Sequence, residues 1–226
     1  MSVNEKMKAI ADAIRGKTGK TDTLTLDQMA TEIAGIETGG GSDDVLLRVL
    51  ARTITNLESD KVTELGYRAL NGCTALTSIS FPNCVKMSEG ALQGTSVETV
   101  NLPNLDNIAD RCFMSCSKLK EIVFPNVKDM PTYVFYECLA LEKCDLHTIT
   151  TIGNRSFQNC KNLKALIIRT NSLCNLVGSD VLAGSGVASG TGYIYVPSVL
   201  IDTYKAATNW SVYANQFRTI EGSEYE

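Results

Sequence analysis

The sequence predicts a repeat solenoid of mixed α/β class, a stack of similar coils with one short strand in each, and three observations predict it. The stretch Leu105 to Asn126, LDNIADRCFMSCSKLKEIVFPN, is echoed by its neighbours from Val62 to Thr170. The residues closing the echoes, Asn83, Asn104, Asn126, Thr148 and Thr170, lie 21, 22, 22 and 22 positions apart by subtraction, a step typical of stacked repeats. Each echo also ends in two apolar residues separated by one, the period of a strand with one buried face.

Composition supports a folded chain. With 226 residues, 44% hydrophobic and 20% charged, it can bury one sizeable core. A net charge of −4 argues against nucleic acid as a partner, because phosphate-backbone affinity comes from clustered Lys and Arg. No run approaches the roughly 18 apolar residues of a membrane span. The start, MSVNEKMKAIADAI, lacks the long apolar core of a secretory signal. No membrane insertion is expected, and either the mature start is shown or the protein leaves its cell by another route.

Residues 1–36 read as a two-helix module. Met7, Ile10, Ala11 and Ile14 share one helical stripe between Ser2, a candidate cap, and Gly16, a candidate stop. Leu26, Met29, Ile33 and Ile36 share another behind the capping oxygen of Thr25. Two such short helices bury little alone, so they need each other, the solenoid or another copy of the chain. Homo-oligomerisation through residues 2–36 is therefore an expectation. Between the helices, GKTGKT (Gly16 to Thr21) imitates a phosphate loop, but that motif needs a glycine where Ile14 stands and should follow a strand. Residues 37–44, ETGGGSDD, form a polar linker by composition.

Residues 45–61 read as an imperfect first repeat that caps the open end of the stack, since terminal repeats must hide a core edge from water. Residues 62–170 are five full repeats. Their first and fourth positions are apolar (Leu105 and Ile108, for example), the eighth is small (Ala69, Ala91, Cys112, Val134, Ser156) and the ninth is Leu or Phe. An alternating pair follows, such as Ile122 and Phe124, and Pro82, Pro103 or Pro125 closes the strand in three repeats, where a missing N–H costs the ladder little. Residues 171–226 are expected to hold an irregular Gly/Ser-rich loop, a final strand (Tyr193 to Val196) and a capping helix carrying Leu200, Tyr204 and Trp210.

Eight cysteines raise zinc and disulfides, but there is no Cys-x-x-Cys pair and only one histidine, His147. Cys73, Cys116, Cys138 and Cys160 share one repeat position, with Thr95 filling the gap, and are expected as a row of partly buried structural thiols. A disulfide between stacked neighbours such as Cys138 and Cys160 is the alternative. Nothing marks an activated Cys beside His147, and Glu121, Glu142 and Asp145 read as surface charge rather than catalytic carboxylates. No cofactor, metal or enzymatic activity is expected.

A solenoid instead offers a broad face. The strand residues that alternate with the buried pair are expected to point outward: Ser78 and Ser80, Thr99 and Asn101, Glu121 and Val123, Lys143 and Asp145, Ala165 and Ile167. The row passes from small polar through charged to apolar at Ile167. A second candidate patch combines Met114, Tyr133 and Tyr136 at the turn, where exposed aromatic and Met side chains anchor partners, unless they pack on one another.

The pattern small residue, Phe, short polar gap, Cys, two residues, Leu, two residues, Ile, one residue, Leu or Phe, then Pro resembles the BspA-type, or Treponema-type, leucine-rich repeats of bacterial surface proteins. The segment GYIYVPSVLIDTYKAATNWSVYANQFRTIE resembles their closing segment. ADAIRGKTGKTDTLTLDQMATEIAGI is similar to a module at the start of phage and prophage tail proteins of Gram-positive gut bacteria. These resemblances imply a right-handed leucine-rich-repeat solenoid and a non-enzymatic adhesion module that recognises a protein or glycan at a cell surface or in a virion. They also imply an alternative, a tail component whose solenoid is a spacer and whose N-terminal helices assemble.

Overall fold

The computed structural model describes residues 55–226. The two-helix module, the linker and the start of the capping repeat lie outside the described residues.

The chain forms a parallel β-solenoid of about seven turns. It opens with β1 (Asn56–Glu58), and then each coil contributes a two-residue strand and a longer one. These are β2 (Glu64–Leu65) with β3 (Ser78–Ser80), β4 (Lys86–Met87) with β5 (Thr99–Asn101), and β6 (Asn107–Ile108) with β7 (Glu121–Phe124). The series continues with β8 (Asp129–Met130) and β9 (Lys143–Leu146), β10 (Thr151–Ile152) and β11 (Ala165–Ile168), and β12 (Asn175–Leu176) and β13 (Tyr193–Val196). A helix α1 (Ile201–Ala206) and β14 (Phe217–Thr219) complete it. One strand per repeat was expected and two are present. The second is the fourth-position residue (Leu65, Met87, Ile108, Met130, Ile152) buried behind a polar neighbour, too short for its alternation to show in the sequence.

Three walls enclose the core: the longer strands, the two-residue strands and a wall of turns. In the turn wall, positions seven, nine and eleven donate backbone N–H groups to the next coil. Arg111, Phe113 and Ser115, for example, reach the carbonyls of Thr132, Val134 and Tyr136 at 3.2, 3.0 and 2.7 Å. Left-handed backbone makes its corners, at Arg68, Gly90, Arg111, Tyr133 and Arg155 in position seven and at Gly72, Gly94, Ser115, Glu137 and Asn159 in position eleven.

Inside, Phe113, Phe135 and Phe157 stack with centroids 5.3 and 5.4 Å apart. The row of four cysteines is fully buried rather than partly so, and all eight cysteines of the chain are free thiols. Three of its members have a partner for the buried hydrogen: Cys116, Cys138 and Cys160 donate Sγ–H to the carbonyls of Leu92, Phe113 and Phe135 in the preceding coil at 3.1, 3.0 and 3.0 Å. Thr95 joins the row through a 3.3 Å contact to Cys116 Sγ.

Residues 171–192 also depart from expectation, because they complete another coil. Asn175 and Leu176 pair with Thr151 and Ile152, and Leu176, Val181, Leu182 and Val187 enter the core. The last coil is closed by Tyr204 and Trp210, both buried, with rings 5.4 Å apart. Trp210 Nε1 donates to the Cys174 carbonyl at 2.7 Å and Tyr204 Oη accepts the Cys174 N–H at 3.0 Å, so the exposed end of the core gains an aromatic lid whose polar atoms are satisfied.

Candidate binding surfaces

The row of residues predicted on the strand wall is only partly open. Thr99, Asn101, Glu121 and Val123 are exposed, while Ser78, Ser80 and Lys143 are half-buried. Asn101 Nδ2 donates to Ser80 Oγ at 2.9 Å, and Lys143 pairs with Glu121 across one strand spacing. Asp145, Ala165 and Ile167, expected in solvent, are buried at 8%, 1% and 0% exposure. Arg169 grips Asp145 with two hydrogen bonds of 2.8 and 2.9 Å, with His147 Nε2 3.4 Å from the same carboxylate. Ile220, Tyr195 and Tyr225 cover Ala165 and Ile167. The alternation was read correctly for these residues, but a later part of the chain returns over them.

The open part of the row surrounds a break in the sheet. The longer strands form two separate sheets, β1-β3-β5 and β7-β9-β11-β13-β14, and among the described residues no backbone hydrogen bond joins β5 to β7. Between them lies a cleft of about 570 Å³ with Val100, Leu102 and Ile122 beneath and Val123, Pro103 and Pro125 beside it. Thr99 N–H and Asn101 C=O bond toward β3, so strand alternation turns the backbone groups of Val100 and Leu102 to the cleft. Lys120 C=O and Phe124 C=O bond toward β9, which likewise turns the backbone groups of Glu121 and Val123 to it.

Proline stands beside the break. His147 and Arg169 donate their N–H groups to the preceding coil at Phe124 and Leu146, whereas Pro125, at the same position, has no N–H for Leu102. Pro103 withholds the same bond from Phe81, yet β5 stays paired with β3, so the missing N–H at Pro125 is not sufficient by itself to open the sheet. The short-strand wall divides at the same level, into β2-β4-β6 and β8-β10-β12. There Ser88, Ala109 and Gly153 donate to Leu65, Met87 and Met130, while Pro131 takes the corresponding place opposite Ile108. A groove of about 660 Å³ marks this second gap. The turn wall alone carries its backbone ladder across the seam.

On that turn wall the structure brings Tyr133 and Tyr136 together, edge to face at 5.5 Å, with Met114 accepting a 3.6 Å contact from Gln93 Nε2. The three predicted residues are half-buried and pack within a larger cluster. Arg111 and Arg155 lie over the Tyr133 ring at 5.3 and 5.7 Å, Arg155 donates to Tyr133 Oη at 2.9 Å, and Arg111 pairs with Glu89 at 2.8 Å. The arginines were missed, although Arg111, Tyr133 and Arg155 share one repeat position and that spacing was visible in the sequence.

Seven of the eight thiols are poorly suited to nucleophilic chemistry at neutral pH. Burial, the leading cause throughout, pushes Cys84 and Cys116 up to about 11 and Cys112, Cys160 and Cys174 to about 12. Among the described residues, no three His, Cys, Asp or Glu side chains gather as a metal site, and no helix is long and apolar enough to cross a membrane.

Similar folds are known. A leucine-rich repeat protein from Eubacterium ventriosum is 17% identical with a TM-score of 0.51, over 58% of this chain and 37% of that one. The pneumococcal vaccine antigen PcpA is 22% identical with a TM-score of 0.53, over 74% of this chain and 40% of that one. The chain thus spans less than half of either relative. No curated protein sequence is similar enough to count as a match. The profile of the BspA type leucine rich repeat region matches in six copies, over residues 51–164 and 86–188, and the chain belongs to that family.

Proposed function

We propose that this chain is a non-enzymatic binding module that docks a partner protein on its strand wall, in a bacterial surface setting, with the β5–β7 cleft as the anchor point. The cleft carries this reading. It places apolar side chains beneath backbone donors and acceptors that lack ladder partners, and an extended main chain laid along it satisfies both kinds of group. A glycan supplies hydroxyls for the polar groups but less to cover Val100 and Val123, so protein is the favoured class. Membership of the BspA-type family supports a surface role, and assembly through residues 2–36 would make the module multivalent.

The test is binding of labelled chain to bacterial and epithelial cell surfaces, with and without protease treatment. Val123→Asp together with Thr99→Arg should abolish protease-sensitive binding, while Tyr133→Ala on the turn wall should leave it. If the cleft variant matches the parent in every assay, the spacer role in a tail or appendage takes its place. Light scattering of the full chain and of a version starting at Ser42 tests assembly.

A further inference from the structure

Beyond the cleft, the strand wall carries a second surface that the chain itself occupies. In β11 and β13 the outward positions are Ala165, Ile167, Tyr193 and Tyr195, all apolar or aromatic, where the outward positions of earlier coils are Ser, Thr, Asn, Glu, Lys and Asp except for Val123. The segment after β14 folds back over Ala165, Ile167 and Tyr195. Gly222, at φ +77°, reverses the chain, and Ser223 holds the turn by donating N–H and Oγ–H to the Ile220 carbonyl at 3.0 and 2.6 Å. Tyr225 then meets Tyr195 edge to face at 4.6 Å, and Arg169 Nη2 donates to the Tyr225 carbonyl at 2.8 Å.

Most hydrogen bonds of residues 222–226 are internal to this turn. Gly222 N–H goes to Glu226 Oε2 at 3.0 Å and Tyr225 N–H to Ser223 Oγ at 3.1 Å. The seat on the wall is therefore one ring and one carbonyl. Beside it a groove of about 320 Å³ remains, lined by Tyr193, Tyr195, Arg218 and the turn itself. Arg218 lies 4.1 Å over the Tyr193 ring. The segment IEGSEYE carries three side-chain carboxylates; of the two cations on this face, Arg169 is already paired with Asp145 and Arg218 lines the groove beside the turn. Burial, ahead of the neighbouring Glu224, pushes the Tyr225 phenol up to about 12, in keeping with a ring held against the wall.

We infer that residues 222–226 are an intramolecular ligand, and that the face of β11 and β13 beneath them receives an acidic, tyrosine-bearing segment of a partner protein, which displaces them. The inference rests on the reading of the strand wall as the binding surface, but uses residues separate from the cleft. Ring, carbonyl and carboxylates define the partner: an aromatic side chain against Tyr195 and Ile167, a main-chain acceptor for Arg169, and negative charge toward Arg218. The tethered segment competes at the high effective concentration of a short linker, so the site is masked until the partner outbids it.

The experiment uses fluorescein-labelled acetyl-IEGSEYE-amide and fluorescence anisotropy, with folding of each variant checked by circular dichroism. Tyr225→Ala in the full chain, and separately a chain ending at Glu221, should bind the peptide about tenfold more tightly than the parent. A peptide with its tyrosine replaced by alanine should not bind, and Ile167→Glu in the shortened chain should abolish binding. Equal affinity for the parent and both variants, absence of binding to both folded variants, or binding that survives Ile167→Glu overturns the proposal. Val123→Asp should leave peptide binding unchanged, so failure here and failure of the cleft are read separately.

Discussion

Gly153 lies directly against the backbone of Pro131, so closely that a Cβ on the glycine would stand 2.4 Å from the proline carbonyl carbon and 2.5 Å from its oxygen. No flexible side chain is there to move aside. Gly153→Ala is therefore expected to cost about 2–3 kcal/mol in urea unfolding, as overpacking against rigid atoms does. Gly72→Ala is the control: its Cβ meets open space and only the φ of +71° opposes it, an expected cost of about 1 kcal/mol. Equal losses at the two sites would show that Gly153 is not in contact.

Pro131→Ala supplies the N–H missing opposite Ile108. The added hydrogen bond, about 1 kcal/mol, is offset by the freer unfolded chain once proline is gone. Global stability should stay within about 0.5 kcal/mol, while hydrogen exchange at residue 131 should show a protected amide. A fast-exchanging amide at that position would mean that the proline does not cause the break.

Phe135 has no exposed surface and lies between Phe113 and Phe157 in the ring stack. Phe135→Ala should cost about 3–5 kcal/mol, because neighbouring coils cannot collapse into the space without breaking their ladders. Equilibrium unfolding followed by circular dichroism reads this directly.

Alkali should destabilise the fold through its thiols. From the ordinary value of 9.0, Cys112 and Cys160 are pushed up to about 12, so the folded chain keeps protons that the unfolded chain releases. Their contribution is fully present below pH 9 and is lost as pH rises from there toward 12. The urea midpoint should fall between about pH 8 and about pH 10.5, with a shallower fall in the Cys112→Ala, Cys160→Ala double variant. An unchanged slope in that variant would assign the alkaline loss to other groups.

Much of the fold could be read from the chain because the repeat writes its own register. Ile122 above Phe124, coil after coil, is enough to place a buried strand face. The last coil was missed because its spacing stretches: Asp129 pairs with Thr151 after 22 residues, but Thr151 with Asn175 after 24 and Leu166 with Ile194 after 28, by subtraction. Inserted residues hide a period without abolishing the stacking it encodes. Ala165 and Ile167 show the other limit. Alternation gives the side of the sheet a residue takes, but Tyr225 arrives from far along the chain. The only local sign was that the outward row had turned apolar there.

The cleft was hidden for a different reason. Pro125 reads as a strand-closing residue like Pro103, and only the neighbouring coils show that the ladder stops beside one and continues beside the other. Four predicted residues, Thr99, Asn101, Glu121 and Val123, do border it, because the break falls where the row is most open.

The seam also gives the molecule a mechanical character. Along most of the stack, tension between neighbouring coils is shared by three parallel sets of backbone bonds, like a rope of three strands. Between β5 and β7 two of those sets are missing, and the load falls on the turn wall and the phenylalanines behind it. Stretched by its ends, the solenoid would give way there first, dividing into two shorter stacks that each keep their own sheets.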